Sequence, residues 1–190
     1  MSEISILLGL GNPGATYEST RHNLGSKVLD LLAARHRIRW RGISKIALEA
    51  RLPLAGREVH LVKPLVYMNA SGEALEMFGP PDPNAVLVIC DDIHLPLGTI
   101  RLRKRGGTGG HKGLESVEAH LGADDFPRLR MGVGSPPPGM EWSDYVLEPF
   151  PDEELEEVER MVAAAAECLE TVLGNGLEAA MQAFNGKALP

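Results

Sequence analysis

Cysteine, aromatic residues and long apolar runs are scarce in this sequence. Of its 190 residues, two are cysteines, Cys90 and Cys168, and 5% are aromatic. Two distant cysteines do not make the disulfide framework of a small secreted domain, so we expect free thiols in a reducing compartment. No apolar run approaches the roughly 20 residues of a membrane span, and no basic residue precedes the short run in MSEISILLGLG. We therefore expect a cytoplasmic globular protein without a signal peptide or membrane segment.

Basic residues are fewer than acidic residues overall, but the two kinds are unevenly distributed along the chain. The formal net charge is −7, yet residues 146–190 hold ten acids and two bases, which leaves 17 bases and 16 acids in residues 1–145. Two segments contain bases and no acid: RHRIRWRGISK at 35–45 and RLRKRGGTGGHK at 101–112. A polyanion responds to local potential, so each segment is either a phosphate-binding face or an ordinary solvated surface.

Strand and helix patterns alternate along the chain. Apolar or alternating segments predict strands at 4–10, 85–92, 99–105 and 128–134, and a hairpin over 46–64 that turns at Ala55 and Gly56. Helical patterns occupy 24–36, 71–79, 112–122, 151–174 and 177–184. The length is that of one domain, and the alternation predicts an α/β sandwich with a mixed sheet.

The segment GLGNPG at 9–14 matches the Gly-x-Gly-x-x-Gly pattern of dinucleotide-binding sites. Such a site needs a helix beginning at the third glycine and an acid at the end of a second strand about 20 residues later. Here Pro13 removes an amide, the polar stretch ATYESTRHN follows Gly14, and Ala34 occupies the distant position inside a predicted helix. The context therefore argues against a nucleotide site.

A second glycine cluster, RGGTGGHKG at 105–113, resembles a phosphate-binding loop. A Walker loop requires Gly-Lys followed by Ser or Thr, whereas here Gly110 is followed by His111, Lys112 and Gly113. What remains is a flexible basic loop that delivers a histidine to the start of a helix.

Polar side chains with catalytic potential follow the predicted strands. Because sites in open α/β sheets lie beyond the carboxyl ends of the strands, we expect these side chains, and the apolar Met68 beside them, to converge: Asn12, His22, Asn23, Met68, Asn69, Asp91, Asp92 and His111. The set lacks a convincing nucleophile, because Ser19, Thr20 and Ser71 do not have the sequence context of one. Histidine, carboxylate and amides suit activation of water, with the carboxylate fixing the imidazole tautomer.

Simpler interpretations of the same residues remain open at this stage. Asp91 or Asn69 could cap a helix or turn, and His22 could be an ordinary residue of a helix N-terminus. A metal site made of Asp91, Asp92 and His94 lacks a recognised ligand spacing, so we expect no metal and no other cofactor.

Several segments resemble, in order and spacing, those of bacterial peptidyl-tRNA hydrolases. They are GLGNPGATYESTRHNLG, KPLVYMNASG, CDDIHLPLG, GGTGGHKGL, RLRMGVGSP and DYVLEPF, and the likeness covers about residues 4–185. The resemblance implies a single domain over 1–190 with a three-layer α/β/α sandwich around a mixed sheet, of the phosphorylase/hydrolase-like type. It also implies hydrolysis of the ester between a peptide and the 3′ ribose of tRNA, without a metal, by a monomer.

The resemblance also assigns roles to individual positions. His22 matches the catalytic base and Asp91 the acid that orients it. The remaining matches concern substrate: amides that hold it at Asn12 and Asn69, the peptide pocket at Met68, the acceptor end of tRNA at Tyr17, the substrate channel at His111, and phosphates at Arg103 and Arg130. A tRNA- or RNA-binding module of the same fold without catalysis is the alternative hypothesis.

One departure from the family pattern is informative, while Val66 and Thr108 are also atypical with smaller consequences. The family usually has asparagine directly after the histidine of the glycine loop, and this chain has Lys112. Asparagine both donates and accepts hydrogen bonds, whereas lysine only donates and carries charge. We therefore predict that Lys112 contacts a phosphate of the acceptor stem.

Overall fold

Seven strands form one mixed sheet in the computed structural model, which describes residues 3–54 and 56–187. The strands are β1 (Ile6–Gly9), β2 (Arg41–Gly42), β3 (Ala47–Leu54), β4 (Arg57–Pro64), β5 (Val86–Asp92), β6 (Ile100–Arg103) and β7 (Arg128–Gly132). Their order is β2-β3-β4-β1-β5-β7-β6. β1 runs parallel to β4 and β5, and β5 to β7, while the β2–β3, β3–β4 and β6–β7 pairs are antiparallel. The prediction of a mixed sheet is confirmed.

Helices cover both faces of this sheet. They are α1 (Leu24–Arg35), α2 (Lys112–Leu121), the short α3 (Trp142–Tyr145), α4 (Leu155–Asn175) and α5 (Leu177–Phe184), with 3₁₀ turns at Ala15–Tyr17, Arg21–Asn23, Met68–Phe78, Pro83–Ala85 and Asp152–Glu154. One core lies between the sheet and α1, α4 and α5, and the other between the sheet and α2 with the 3₁₀ helix. The single-domain, three-layer α/β/α sandwich is therefore confirmed.

Strand β5 lies in the interior of the sheet, between β1 and β7, and is buried along its whole length. Leu87 and Ile89 enter the core under α1 and α4, while Val86, Val88 and Cys90 enter the core under α2. A strand buried on both faces is apolar without alternation, which explains the continuous run in the sequence. The run ends in Asp91 and Asp92, so two carboxylates are carried to the carboxyl edge of the sheet.

The hairpin and the 71–79 helix differ in detail from their predictions. Leu54 pairs with Arg57, and Gly56 has a φ of 88°, while the predicted turn residue Ala55 lies outside the described residues.

The helix predicted at 71–79 begins at Met68 rather than at 71, and it is a 3₁₀ helix rather than an α-helix. The Ser71 hydroxyl donates to the Met68 carbonyl at 2.8 Å, so a side-chain hydroxyl binds a backbone carbonyl in the first turn of this helix.

The first glycine of GLGNPG, Gly9, serves packing against helix α1. A Cβ on Gly9 would meet the backbone carbonyl of Gly25, and one on Gly25 would meet the carbonyl of Ile89. Helix α1 therefore crosses β1 and β5 at backbone distance, which only glycine permits. Gly14 is followed by a single 3₁₀ turn and not by a long helix, as the argument against a nucleotide site requires.

The acidic C-terminal helices neutralise part of the basic segments. Arg35 pairs with Glu167 and Glu170 of α4, and Lys104 pairs with Glu178 of α5. Within residues 3–54 and 56–187, the other bases of these segments have no acidic partner, apart from Lys112, which pairs with Glu115 on its own helix: Arg37, Arg39, Arg41, Lys45, Arg101, Arg103 and Arg105. No helix among the described residues is long and apolar enough to cross a membrane.

Candidate active site

A cleft of about 350 Å³ opens at the carboxyl ends of β1 and β5. Its floor holds Asn12, His22, Asp91 and His111, and its walls come from the start of the 3₁₀ helix, from the glycine loop and from the α3 region. The structure thus brings together side chains that are separated by up to 99 positions in the sequence, as the strand-end argument predicted.

His22 and Asp91 form a buried pair in this cleft. Nδ1 of His22 and Oδ1 of Asp91 lie 2.8 Å apart. His22 belongs to the 3₁₀ turn that precedes α1, where its backbone N–H donates to the carbonyl of Val146 at 2.8 Å. Because an ionised carboxylate only accepts, Nδ1 carries the hydrogen and Nε2 keeps its lone pair. Among the described residues, Nε2 has no hydrogen-bond partner, so it is free to act as a base toward a molecule in the cleft.

His111 is the second histidine on the same carboxylate oxygen. Its Nε2 lies 3.0 Å from Oδ1 of Asp91, and its ring centre is 4.8 Å from that of His22. Its Nδ1 accepts from the backbone N–H groups of Gly113 and Leu114, which makes His111 the N-cap of α2. An accepting Nδ1 fixes the tautomer with hydrogen on Nε2, and that N–H donates to Asp91. His111 is therefore held neutral as a donor, and His22 is the histidine available for proton transfer.

The two histidines keep Asp91 ionised. Burial by itself raises the pKa of the Asp91 carboxyl, but the electrostatic attraction of the carboxylate to the imidazoles of His22 and His111 and the hydrogen bonds with them lower it by more, and the net pKa lies below its usual range. A charged Asp91 holds the imidazole of His22 in one orientation and stabilises the imidazolium that forms when His22 takes a proton.

Asn12 is oriented by hydrogen bonds to its side chain and to its backbone. Its Oδ1 accepts from the backbone N–H of Met68 at 2.7 Å, which leaves the Nδ2 hydrogens as donors toward the cleft. Asn23 fixes the backbone below it, because its Oδ1 accepts from the Asn12 N–H and its Nδ2 donates to the Asn12 carbonyl. Asn12 therefore presents a preorganised donor near the His22–Asp91 pair.

Met68 and Asn69 form one wall of the cleft. Met68 is buried, and its Sδ lies against Gly113 at the start of α2. Asn69 is exposed and, in the part of the chain that the structure describes, its side chain has no hydrogen-bond partner, so its amide is available to a bound molecule. Neither Asn69 nor Asp91 caps a helix.

His22, Asp91 and His111 could also be considered as ligands for a metal ion, since their donor atoms lie within 4.8 Å of one another. The hydrogen-bond pattern argues against that use. The Nε2 of His111 carries a hydrogen, and moving it to Nδ1 would remove both acceptor bonds of the α2 cap. The donor set fits a hydrogen-bonded triad better than a metal site.

Comparison with known proteins identifies the relatives of this chain. A model of the family described as "Peptidyl-tRNA hydrolase" matches residues 6–190. The chain is 40% identical to the peptidyl-tRNA hydrolase of Alkaliphilus oremlandii over 184 residues, which cover 95% of this chain and 99% of that protein. The chain belongs to the peptidyl-tRNA hydrolase family. The family member from Methylacidiphilum infernorum is 43% identical, with 95% of this chain and 97% of that protein covered.

A solved structure of the family has the same fold. The crystal structure of the peptidyl-tRNA hydrolase from Acinetobacter baumannii matches with a TM-score of 0.91 at 33% identity, covering 99% of this chain and 97% of that one. The family resemblance drawn from the sequence is therefore confirmed across nearly the whole chain.

The remaining positions matched to peptidyl-tRNA hydrolases lie at the rim of the cleft or outside it. Arg130 reaches the rim, where it pairs with Asp92 at 2.9 Å and donates to the carbonyl of Gly107. Lys112 also lines the rim, and its ammonium forms an exposed pair with Glu115 at 2.9 Å. Such an exposed pair contributes little to stability.

Tyr17 and Arg103 do not line the cleft. Tyr17 packs edge-on against Tyr67, with ring centres 6.4 Å apart, and Tyr67 stands at the cleft mouth. Arg103 is exposed on the edge strand β6, where its register partner on β7 is Arg128. Both therefore lie outside the cleft that holds His22 and Asp91.

Arg21 is a structural residue of the site that sequence reasoning missed. It is buried, and its guanidinium donates to the carbonyls of Glu148 and Pro149 at 3.1 and 2.9 Å. The same group lies over the rings of Tyr145 and Phe150, at 4.2 and 4.9 Å from their centres. Arg21 thereby fastens the 142–150 segment beside His22. The only signal in the sequence is a lone arginine between Thr20 and His22, which does not reveal its distant partners.

Proposed function

We propose that this protein hydrolyses the ester between a peptide and the 3′ ribose of tRNA, and so returns the tRNA of prematurely released peptidyl-tRNA to use. The observation that carries the proposal is the buried His22–Asp91 pair, with a free Nε2 facing a cleft, in a chain of the peptidyl-tRNA hydrolase family. Within the described residues, no serine or cysteine is within hydrogen-bond distance of that nitrogen, which favours water as the nucleophile.

The reaction begins when Nε2 of His22 removes a proton from a water molecule, which attacks the ester carbonyl. Asp91 stabilises the imidazolium that results, and the Nδ2 group of Asn12 donates to the oxyanion. The tetrahedral intermediate then collapses, the bond to the ribose oxygen breaks, and the imidazolium returns its proton to that oxygen. The products are the free peptide acid and deacylated tRNA, and no covalent enzyme intermediate is needed.

Recognition of the acyl group rests on the amides of the cleft. Asn69 and Asn12 offer donors and acceptors that suit a neutral peptide amide, whereas the free ammonium of an ordinary aminoacyl-tRNA lacks an acceptor to match them. Arg103, Arg130, Lys112 and Tyr17 supply the contacts to the acceptor end and stem. We further propose that residues 1–190 act as one domain, as a monomer in the cytoplasm.

One assay tests the activity. The protein is incubated with N-acetylated and with free aminoacyl-tRNA, in the absence of added metal or nucleotide, and deacylated tRNA is measured. We expect rapid release from the acetylated substrate and slow release from the free one. A tRNA-binding module without catalysis would bind both and release neither, and that result would overturn the proposal.

A further inference from the structure

Several exposed apolar side chains surround the mouth of the cleft. Among the described residues, Tyr67, Trp142 and Leu147 are large apolar side chains that stand exposed and line the cleft, with Trp142 53% exposed. Met140, also exposed, lies two residues before Trp142. A cluster of this kind beside a polar catalytic floor is typical of a site that covers apolar parts of a ligand.

Trp142 packs against the ring of His94. The imidazole of His94 packs edge-on against the indole, with ring centres 5.1 Å apart and an interplanar angle of 83°. His94 is held in turn by its backbone N–H, which donates to Oδ1 of Asp92 at 2.9 Å. The two rings therefore form a corner whose open side faces the cleft.

The segment that carries Trp142 is fixed in place by the catalytic part of the molecule. Arg21 holds the carbonyls of Glu148 and Pro149, and Tyr145 donates to the carbonyl of Val133 at 2.7 Å. These hydrogen bonds hold the segment that carries the indole in place. An apolar group that binds to the indole therefore meets a preformed surface, and little free energy is spent on ordering the protein.

Backbone connections place this corner next to the reacting atoms. The carbonyl of Val146 accepts from the N–H of His22, and the N–H of Val146 donates to the carbonyl of Trp142, one helical turn away. One turn is about 5.4 Å. On the other side, His94 follows Asp91 by three residues. An extended peptide advances about 3.3 Å per residue, so a side chain in this corner belongs to one of the first two residues counted from the ester.

We propose that Trp142 and His94 form an acyl-side subsite that binds an apolar side chain of the nascent peptide, within two residues of the ester bond. The proposal rests on the proposed function, because the peptide of peptidyl-tRNA is the occupant. Continuity of the corner with the catalytic floor favours this occupant over a separate protein partner. The subsite makes hydrolysis faster for peptides with an apolar residue at that place.

The test uses three substrates on one tRNA, so that only the peptide differs: N-acetyl-Gly-Gly, N-acetyl-Leu-Gly and N-acetyl-Gly-Leu. We expect the wild-type kcat/KM to be about tenfold higher for at least one leucine substrate than for the glycine substrate. Trp142→Ala should remove this preference by raising KM for the leucine substrate, and Trp142→Phe should keep most of it. Met77→Ala, which removes an exposed apolar side chain outside the cleft, is the matched control and should keep the full preference.

Thermal unfolding of each variant verifies that the fold is intact. Equal kcat/KM for the three substrates with the wild type, or an equal loss on all three in Trp142→Ala, would overturn the subsite; an equal loss would indicate that the indole contacts the tRNA instead. If the wild type hydrolyses none of the three, the proposed function itself fails. The two failures are therefore distinct.

Discussion

At the scale of single residues, Asp91 connects the two histidines of the site. Both imidazoles donate to its Oδ1, but only His22 leaves its other nitrogen free, because the Nδ1 of His111 is used by α2. Two histidines on one carboxylate thus take different roles, and the difference arises from the backbone next to one of them.

Replacing His22 tests the general base. We expect His22→Ala to lower kcat by a factor of about 10² to 10⁴, since a positioned base contributes that much. His36→Ala removes an exposed histidine at the end of α1 and should retain normal turnover. The measurement is release of deacylated tRNA, with circular dichroism to verify the fold. Near-normal turnover of the His22 variant would remove it from this role.

Replacing Asp91 changes how stability depends on pH. The pKa of Asp91 is lowered in the folded state, so its ionised form stabilises the protein above the unfolded value of about 3.9. That stabilisation is lost as pH falls below about 5 and through the lowered pKa. Asp91→Asn should therefore show a flatter decline of unfolding free energy between about pH 5 and 3 in urea titrations.

The exposed carboxylate of Asp125 provides a control for this experiment. Asp125→Asn removes one acid from a loop residue that has no ion-pair partner among the described residues, so it should follow the wild-type curve. Parallel curves for the wild type and Asp91→Asn would contradict the assigned effect of the two histidines on Asp91.

At the scale of elements, α2 and the catalytic floor share one side chain. His111 caps α2 through Nδ1 and donates to Asp91 through Nε2, so the glycine loop, the helix and the site are connected at that residue. Helix α1 is connected similarly, because the turn that begins it carries both Arg21 and His22.

A pair of variants separates the two functions of His111. His111→Ala removes both the N-cap of α2 and the hydrogen bond that His111 donates to Asp91. His111→Asn keeps a good N-cap side chain, but this shorter side chain largely loses the hydrogen bond to Asp91. We expect the asparagine variant to be more stable than the alanine variant by about 1 kcal/mol, and both to be slower than the wild type. Urea unfolding and initial rates measure these effects. Equal stability of the two variants would argue against the capping role.

At the scale of the whole molecule, charge is divided between layers. The acidic helices α4 and α5 neutralise Arg35 and Lys104, while Arg101 and Arg103 keep their charge on the edge strand β6. A chain of net charge −7 can therefore still bind a polyanion, because the local electrostatic potential near the basic residues differs from what the net charge of the whole molecule suggests.

The salt dependence of tRNA binding tests the basic residues at the rim of the cleft and on strand β6. Each phosphate contact contributes a slope of about −0.9 to the logarithm of affinity against the logarithm of salt concentration. Arg103→Ala and Lys112→Ala should each weaken binding of deacylated tRNA and reduce the slope by about 1, as measured by fluorescence anisotropy. Arg160→Ala, on the outer face of α4, should change neither. An unchanged slope for Lys112→Ala would contradict its predicted phosphate contact.

Local sequence patterns predicted most of the elements because each pattern has a local cause. The unbroken apolar run of β5 indicates a strand buried on both faces, and the glycine at 122 ends α2 in the left-handed conformation that the sequence suggests. The 3₁₀ form of Met68–Phe78 was not predictable, because helical periodicity is similar in both forms and Ser71 gives only a weak signal.

The sequence by itself determined the order of elements, the family, and which side chains could do chemistry, because these depend on local patterns and recognisable segments. Tertiary structure decided what the side chains do. It placed two histidines on one oxygen, assigned their tautomers through the start of α2, fastened the 142–150 segment through Arg21, and set Trp142 against His94. Apart from the local contacts of His111 with the start of α2, these contacts join positions 20 to 128 residues apart, and only the packed sheet and its helices bring such positions together.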